Sequence, residues 1–150
     1  MITTRAGQLV LTSLRDESRA VLGGLPVPIR LLREVFAVAV RRCFAGRDSR
    51  EITGYVRDLL LRRGLPADGV EAREAEAVIR TALGEWELAA GIPDERRVDI
   101  IIVVVGDLAR AEAVGSDEAL FEALVEQAER RVARCEPAPH GRPWRRTRPR

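Results

Sequence analysis

Six consecutive branched aliphatic residues, at positions 100–105, form the most apolar stretch of this 150-residue chain. A helix that spans a bilayer needs about 20 apolar residues, so this short run must be covered by the protein's own elements or by a partner. β-Branched side chains favour strands, and a run of this length fits a buried strand or a buried helix. A strand needs a pairing partner, which only residues 8–14 and 35–40 could supply. Because the second of these has a helical repeat, we interpret 94–113 as a helix buried on two sides.

Apolar residues recur with the helical period in most of the chain before residue 136. Residues 1–25 fit a helix only loosely, and 8–14 also fits a strand. Residues 26–28 are expected to form a rigid linker, followed by a helix at 29–45. Further helices are predicted by the same pattern at 48–63, 68–83 and 117–135. The sequence therefore predicts an all-α fold, a compact bundle of five to six short amphipathic helices.

Two of these helices have the same start signal, in which an aspartate is followed three residues later by a glutamate. The pairs are Asp48 with Glu51 and Asp68 with Glu71. In a capping box, the side chain of the first residue accepts a hydrogen bond from a backbone N–H of the new helix. The glutamate side chain in turn accepts one from the backbone N–H of that first residue. We therefore predict a capped start for the helices at 48–63 and 68–83.

The last fifteen residues differ from the rest of the chain in composition. Residues 136–150 contain four prolines and five arginines against Glu136, a net charge of +4, whereas residues 1–135 contain 20 arginines and 22 acidic residues, a net charge of −2. Frequent proline and low hydrophobicity are typical of disorder. We therefore predict a single helical domain at 1–135 and a disordered basic Pro/Arg-rich tail at 136–150.

The composition excludes several kinds of active site. All 25 basic residues are arginine, which is typical of a GC-rich genome, and without lysine the chain cannot form a Schiff base or a P-loop. The one histidine, His140, lies in the tail, so residues 1–135 cannot build a histidine-dependent triad or an HExxH zinc site. Cys43 and Cys135 lack metal-ligand spacing and are expected to be reduced core residues. We expect no cofactor, no metal and no catalysis.

Some acidic residues still need consideration. Glu71, Glu74 and Glu76 could in principle hold a metal, but the apolar stripe of 68–83 predicts that they face solvent. An acidic face also opposes insertion of this helix into a DNA groove. Asp107 follows Gly106 in an apolar segment, and if it is buried it requires an arginine partner, which is the usual sign of a structural pair.

The first functional hypothesis is a non-enzymatic protein–protein interaction or regulatory domain, with a protein partner or a homo-oligomer. It predicts an exposed apolar patch, which Ile100, Val103 and Val104 would mark if they are exposed. A basic cluster at Arg41, Arg42, Arg47 and Arg50 could also face acidic residues across an interface. We find no secretory signal and expect a bacterial, cytoplasmic protein.

The alternative hypothesis is an accessory nucleic-acid-binding protein that acts through its tail. Clustered guanidinium groups beside a tryptophan suit single strands or other anionic surfaces, with weak and salt-sensitive affinity. The candidate contact residues are Arg142, Trp144, Arg145, Arg146, Arg148 and Arg150.

Overall fold

The computed structural model describes residues 1–63, 71–85, 88–112 and 117–135, and every regular element in these ranges is helical. The elements are α1 (Arg5–Arg15), a 3₁₀ turn (Ala20–Leu22), α2 (Pro26–Phe44), α3 (Ser49–Arg63), α4 (Ala72–Ala82), α5 (Asp94–Glu112) and α6 (Asp117–Cys135). The predicted all-α fold with five to six helices is confirmed for this part of the chain.

The apolar run lies in the middle of α5, as predicted for 94–113. Ile100 and Val104 are fully buried and Val103 is partly buried, and the helix packs against α1, α2, α4 and α6. Its first turn carries Asp94 and Glu95, which suit the positive end of the helix dipole. Both faces of the run are thus covered within one chain, so these residues are not the exposed interaction surface that the first hypothesis considered.

Helix α2 is the other central element and contacts α1, α4, α5 and α6. It begins at Pro26, with Leu25 extended as the N-cap, so the prediction of a rigid linker at 26–28 is wrong. Proline fits the first turn of a helix because its missing N–H has no partner there in any case. The helix ends before Gly46, whose φ of 77° is in the left-handed region.

The amino-terminal region is helical, and the strand considered for 8–14 is wrong. Thr4 caps α1, since its hydroxyl accepts from the Gly7 N–H at 2.9 Å. The helix ends at Arg15, and a 3₁₀ turn then leads to the left-handed Gly23 and Gly24. The loose helix predicted for 1–25 is therefore two shorter elements, because the sequence between them lacks a continuous apolar face.

The first capping box is confirmed and the second is not. The Glu51 N–H donates to Asp48 Oδ1 at 2.9 Å, and the Asp48 N–H donates to Glu51 Oε2 at 3.0 Å. Glu71, in contrast, is extended (φ −83°, ψ 143°) and is the N-cap of α4, so it cannot be the third residue of a helix that starts at 68. Residues 68–70 lie outside the described ranges. The motif fails because its spacing carries no information on the backbone angles of Glu71.

Helix α6 matches the predicted 117–135, and its apolar face packs on α1 and α2 of the same chain. Phe121, Val125 and Ala128 are buried. The two cysteines are not joined in a disulfide, as expected, but Cys135 is exposed and Cys43 only half-buried. The core position predicted for Cys135 is wrong, because the last residues of α6, 133–135, are exposed and do not pack on the core.

Candidate functional site

An open concavity lies between α2, α4, α5 and the turn that precedes α5; we call it the apolar groove. Its floor consists of buried side chains, among them Phe36, Val78 and Ile101, and its volume is about 300 Å³. Ala37 and Ala82 form part of its walls. Because these wall residues are small and α4 ends early at Ala82, the helices leave a hollow where larger side chains would fill the space.

Three arginines surround the apolar groove, at positions 33, 41 and 97, and none of the described residues that line it is acidic. Arg33 Nη2 donates to Asp94 Oδ1 at 3.0 Å. Arg97 donates to the backbone carbonyls of Ile92, at 3.0 Å, and Ala89, so no carboxylate neutralises its charge in these bonds. Arg41 is exposed and makes no salt bridge within the described ranges. The rim is therefore positively charged.

A second concavity adjoins the apolar groove and shares Arg41 and Leu83 with it; we call it the basic pocket. It lies where α2 turns into α3 and has a volume of about 450 Å³. Arg47 and Arg80 also line it, together with a single acidic residue, Glu85. Arg80 Nη2 pairs with Glu85 Oε2 at 2.8 Å, whereas Arg47 is exposed and has no carboxylate partner among the residues described.

The predicted basic cluster is thus divided by the fold. Arg41 and Arg47 line the basic pocket. Arg42 lies on a different side of α2, beside Cys43 and α6, and Arg50 is exposed outside both concavities. Two of the four arginines therefore belong to one surface, and the cluster does not act as a unit.

Asp107 is buried and has the arginine partner that the sequence required. Arg62 Nη2 and the Tyr55 hydroxyl both donate to Asp107 Oδ2 at 2.9 Å. The Tyr55 ring packs edge-on against Phe44, with 5.0 Å between centroids. Burial, and then the Asp107 charge, raise the pKa of Tyr55 far above its usual value. This trio joins α3 to α5 and has no side that opens into either concavity.

Glu17 forms a second polar junction, between the end of α1 and the carboxyl-terminal ends of α3 and α5. Arg63 donates to it through Nη1 at 2.7 Å and Nη2 at 3.1 Å, and Arg110 donates to Glu17 Oε1. The hydrogen bond from Arg63 lowers the pKa of Glu17. Glu17 has a φ of 49°, an uncommon angle for a residue with a side chain. Its carboxylate already has several donors, which favours a structural role.

The acidic residues of α4 do not all face solvent as predicted. Glu71 is exposed, but Glu74 pairs with Arg96 of α5, and Glu76 accepts from the Thr53 hydroxyl at 3.0 Å. Glu74 and Glu76 are each only 24% exposed. The prediction failed because polar side chains of neighbouring helices, Arg96 of α5 and Thr53 of α3, reach the flank of α4. These acids hold helices together, and the described residues contain no group of side chains suited to a metal ion.

The candidate contact residues of the tail, Arg142, Trp144, Arg145, Arg146, Arg148 and Arg150, all lie outside the described residues. The sequence patterns did not predict that Arg33, Ala37 and Arg97 line a groove. A spacing of four residues places Arg33, Ala37 and Arg41 on one face of α2, a signal that could have identified one wall of the apolar groove. Arg97 gave no such signal, because its position follows from packing of α5 against α2.

Comparison of the chain with protein-family models, with curated proteins and with solved structures finds no match. In the described part of the chain, none of the helices is long and apolar enough to span a membrane. The function must therefore be argued from the geometry of the chain itself.

Proposed function

We propose that this protein is a non-enzymatic helical interaction domain that binds a partner protein in the apolar groove. The observation that carries the proposal is the groove itself, an open concavity with an aliphatic and aromatic floor at Phe36, Val78 and Ile101. Concave, mostly apolar surfaces with a few charged groups are the usual form of binding sites. We further propose that the protein acts in the cytoplasm.

The side chains around the groove support binding over catalysis. Among the described residues, its polar side chains are Thr81 and three arginines, at positions 33, 41 and 97. Arginine stays protonated and cannot serve as a general base at ordinary pH, and the threonine has no histidine or lysine in this lining to activate it. Such a lining suits recognition of an apolar and anionic partner.

A matched pair of alanine substitutions tests the proposed function. Ala37→Phe places a ring in the half-buried wall of the groove, whereas Ala123→Phe adds the same ring to an exposed position of α6. In a quantitative pull-down from native extract, we expect Ala37→Phe to lose the proteins that wild type and Ala123→Phe both retain. Circular dichroism and thermal melting verify that both variants fold. Identical capture by all three proteins would contradict the proposal.

Nucleic-acid binding by the tail is a second candidate function. The observation that favours it is the segregation of charge, with +4 on residues 136–150 and −2 on the remainder. It requires no contribution from the apolar groove and is therefore tested separately, with variants confined to the tail.

A further inference from the structure

Building on the proposed function, we infer that the partner segment is an acidic amphipathic helix. Its apolar side chains enter the apolar groove, and its carboxylates pair with Arg41 and Arg47 in the adjoining basic pocket. The inference rests on the proposed function and adds the helical form of the partner segment and the pairing of its carboxylates with Arg41 and Arg47.

The shape of the two concavities favours a helical segment. They share Arg41 and Leu83 as lining residues and so lie next to each other along α2; together they are called the combined depression. From Arg33 to Phe44 the depression follows about 16 Å of helix axis, or roughly three helical turns. A helix that lies beside α2 over this length presents an apolar side chain at every third or fourth position. Its remaining positions meet the rim and the basic pocket.

The charges favour carboxylates on that helix. Among the described residues, five arginines and one glutamate line the combined depression, whereas residues 1–135 as a whole have a net charge of −2. Asp94 balances Arg33, and Glu85 balances Arg80. Arg41, Arg47 and Arg97 make no ion pair with any acidic residue in the ranges that the structure describes. Carboxylates from a partner would complement these three charges and raise the rate of encounter.

Charge disfavours one other occupant, the tail, and the buried aromatic rings disfavour a second, nucleic acid. The tail carries +4 at residues 136–150, so it would bring arginines against an arginine-lined rim. A nucleic acid has the right charge, but among the described residues the aromatic side chains that line the two concavities, Phe36 and Phe44, are only 3% and 4% exposed and so offer little surface for stacking. Aliphatic side chains of a peptide fill the hollow between Ala37 and Ala82 better than bases do.

Selection from a display library tests the inference on the full-length protein. Randomised helix-forming peptides of about 16 residues, which span about 24 Å, are selected on wild type and counter-selected on Ala37→Phe. We expect the surviving peptides to be rich in Asp and Glu, with apolar residues at i, i+3 or i+4 and i+7. Neutral or basic survivors would overturn the inference and leave the proposed function intact. If no peptide distinguishes wild type from Ala37→Phe, the inference and the proposed function are both contradicted.

Fluorescence anisotropy with one selected peptide then tests the two arginines. We expect Arg41→Gln/Arg47→Gln to weaken binding on the order of tenfold, because one exposed ion pair contributes a factor of about five at most. The control Arg5→Gln/Arg134→Gln removes two exposed charges outside the depression and should leave affinity unchanged. A peptide with every Asp changed to Asn and every Glu changed to Gln should bind wild type and Arg41→Gln/Arg47→Gln equally. Equal loss in both double variants would overturn the assignment of Arg41 and Arg47.

Discussion

Arginine is the partner of three half-buried or buried carboxylates that join helices of this fold. Asp107 pairs with Arg62, Glu17 with Arg63 and Arg110, and Glu74 with Arg96. The planar guanidinium can engage two carboxylate oxygens at once, as Arg63 does at Glu17. Since the chain contains no lysine, each of these junctions depends on a residue whose charge does not change with pH.

The Tyr55–Asp107 contact can be measured by a double-mutant cycle. Asp107→Ala should lower the free energy of unfolding by about 1–3 kcal/mol, because the partly buried Tyr55 hydroxyl loses its acceptor. Tyr55→Phe should cost about 1 kcal/mol. In the double variant the loss should be smaller than the sum, since the orphaned hydroxyl is gone. Urea unfolding gives the free energy of unfolding of wild type and the three variants. If the two single losses in this free energy add up in the double variant, the two groups do not interact.

Glu17 should make stability depend on pH in the acid range. Its pKa in the folded protein is lowered from an ordinary value of 4.5, chiefly by the hydrogen bond from Arg63. A lowered pKa stabilises the folded state above the unfolded pKa, and this contribution disappears as pH falls through the folded pKa. Glu17→Gln should therefore be less stable than wild type at pH 7, with a difference that shrinks below about pH 4.5. The midpoints of urea unfolding, recorded for both proteins from pH 7 to below about pH 4.5, measure this difference in stability.

Glu95→Gln is the matched control, because the Glu95 side chain is 81% exposed and pairs only at the surface with Arg19. The stability of Glu95→Gln should depend on pH in the same way as that of wild type. A Glu17→Gln profile parallel to wild type would contradict the role of Glu17.

At the scale of elements, two glycines within helices should respond in opposite ways to alanine. Gly54 lies inside α3, and a Cβ there would meet open space. Gly54→Ala should therefore raise the free energy of unfolding by about 0.5–1 kcal/mol. Gly7 lies in α1, where a Cβ would collide with Glu129 Oε1 and Ile2 Cγ2.

Gly7→Ala would displace the carboxylate that holds the start of α1 to α6. Glu129 accepts from the backbone N–H groups of Thr3 and Thr4, both at 3.1 Å, and from their hydroxyls. A charge-assisted hydrogen bond contributes about 1.5–3 kcal/mol to stability. This is more than the stabilisation that alanine provides through its helix propensity, so we expect the free energy of unfolding to fall by about 1 kcal/mol. Thermal unfolding compares the two variants, and a stabilised Gly7→Ala would refute the proposed contact.

Helix periodicity predicted the elements well where one apolar face was continuous. The bounds of α3, α5 and α6 follow from such stripes, and the Asp48–Glu51 box marks the start of α3. The predictions failed at Pro26 and at Glu71. At both positions a local motif fits two registers, and the choice between them depends on contacts with other helices.

The apolar groove could not be predicted in the same way. Its wall at Ala37 and its floor at Val78 and Ile101 come from three helices that are far apart in sequence. A periodic pattern identifies the buried face of each helix, but it does not show where short side chains on two helices leave a hollow. The arginine partner of Asp107 was predictable because a buried charge requires compensation wherever it lies.

At the scale of the whole molecule, two groups of arginines bear on binding by this acidic body. One group surrounds the apolar groove and the basic pocket, and the other is the tail at residues 136–150. The two groups have the same sign and would repel each other. An acidic partner in the groove would therefore compete with nucleic acid for the tail only if its own acidic stretch extended beyond the groove.

The tail should bind single-stranded nucleic acid weakly, without sequence preference and with a strong dependence on salt. If all five arginines contact phosphates, the slope of log Kobs against log salt concentration should approach about −3.5. Deletion of 136–150, or Arg→Gln at all five arginines, should abolish a low-salt mobility shift. Trp144→Ala should keep the slope and weaken binding by roughly tenfold, because stacking on a base contributes about 1–3 kcal/mol. Unchanged binding without the tail would exclude this function, whereas Ala37→Phe should leave it untouched.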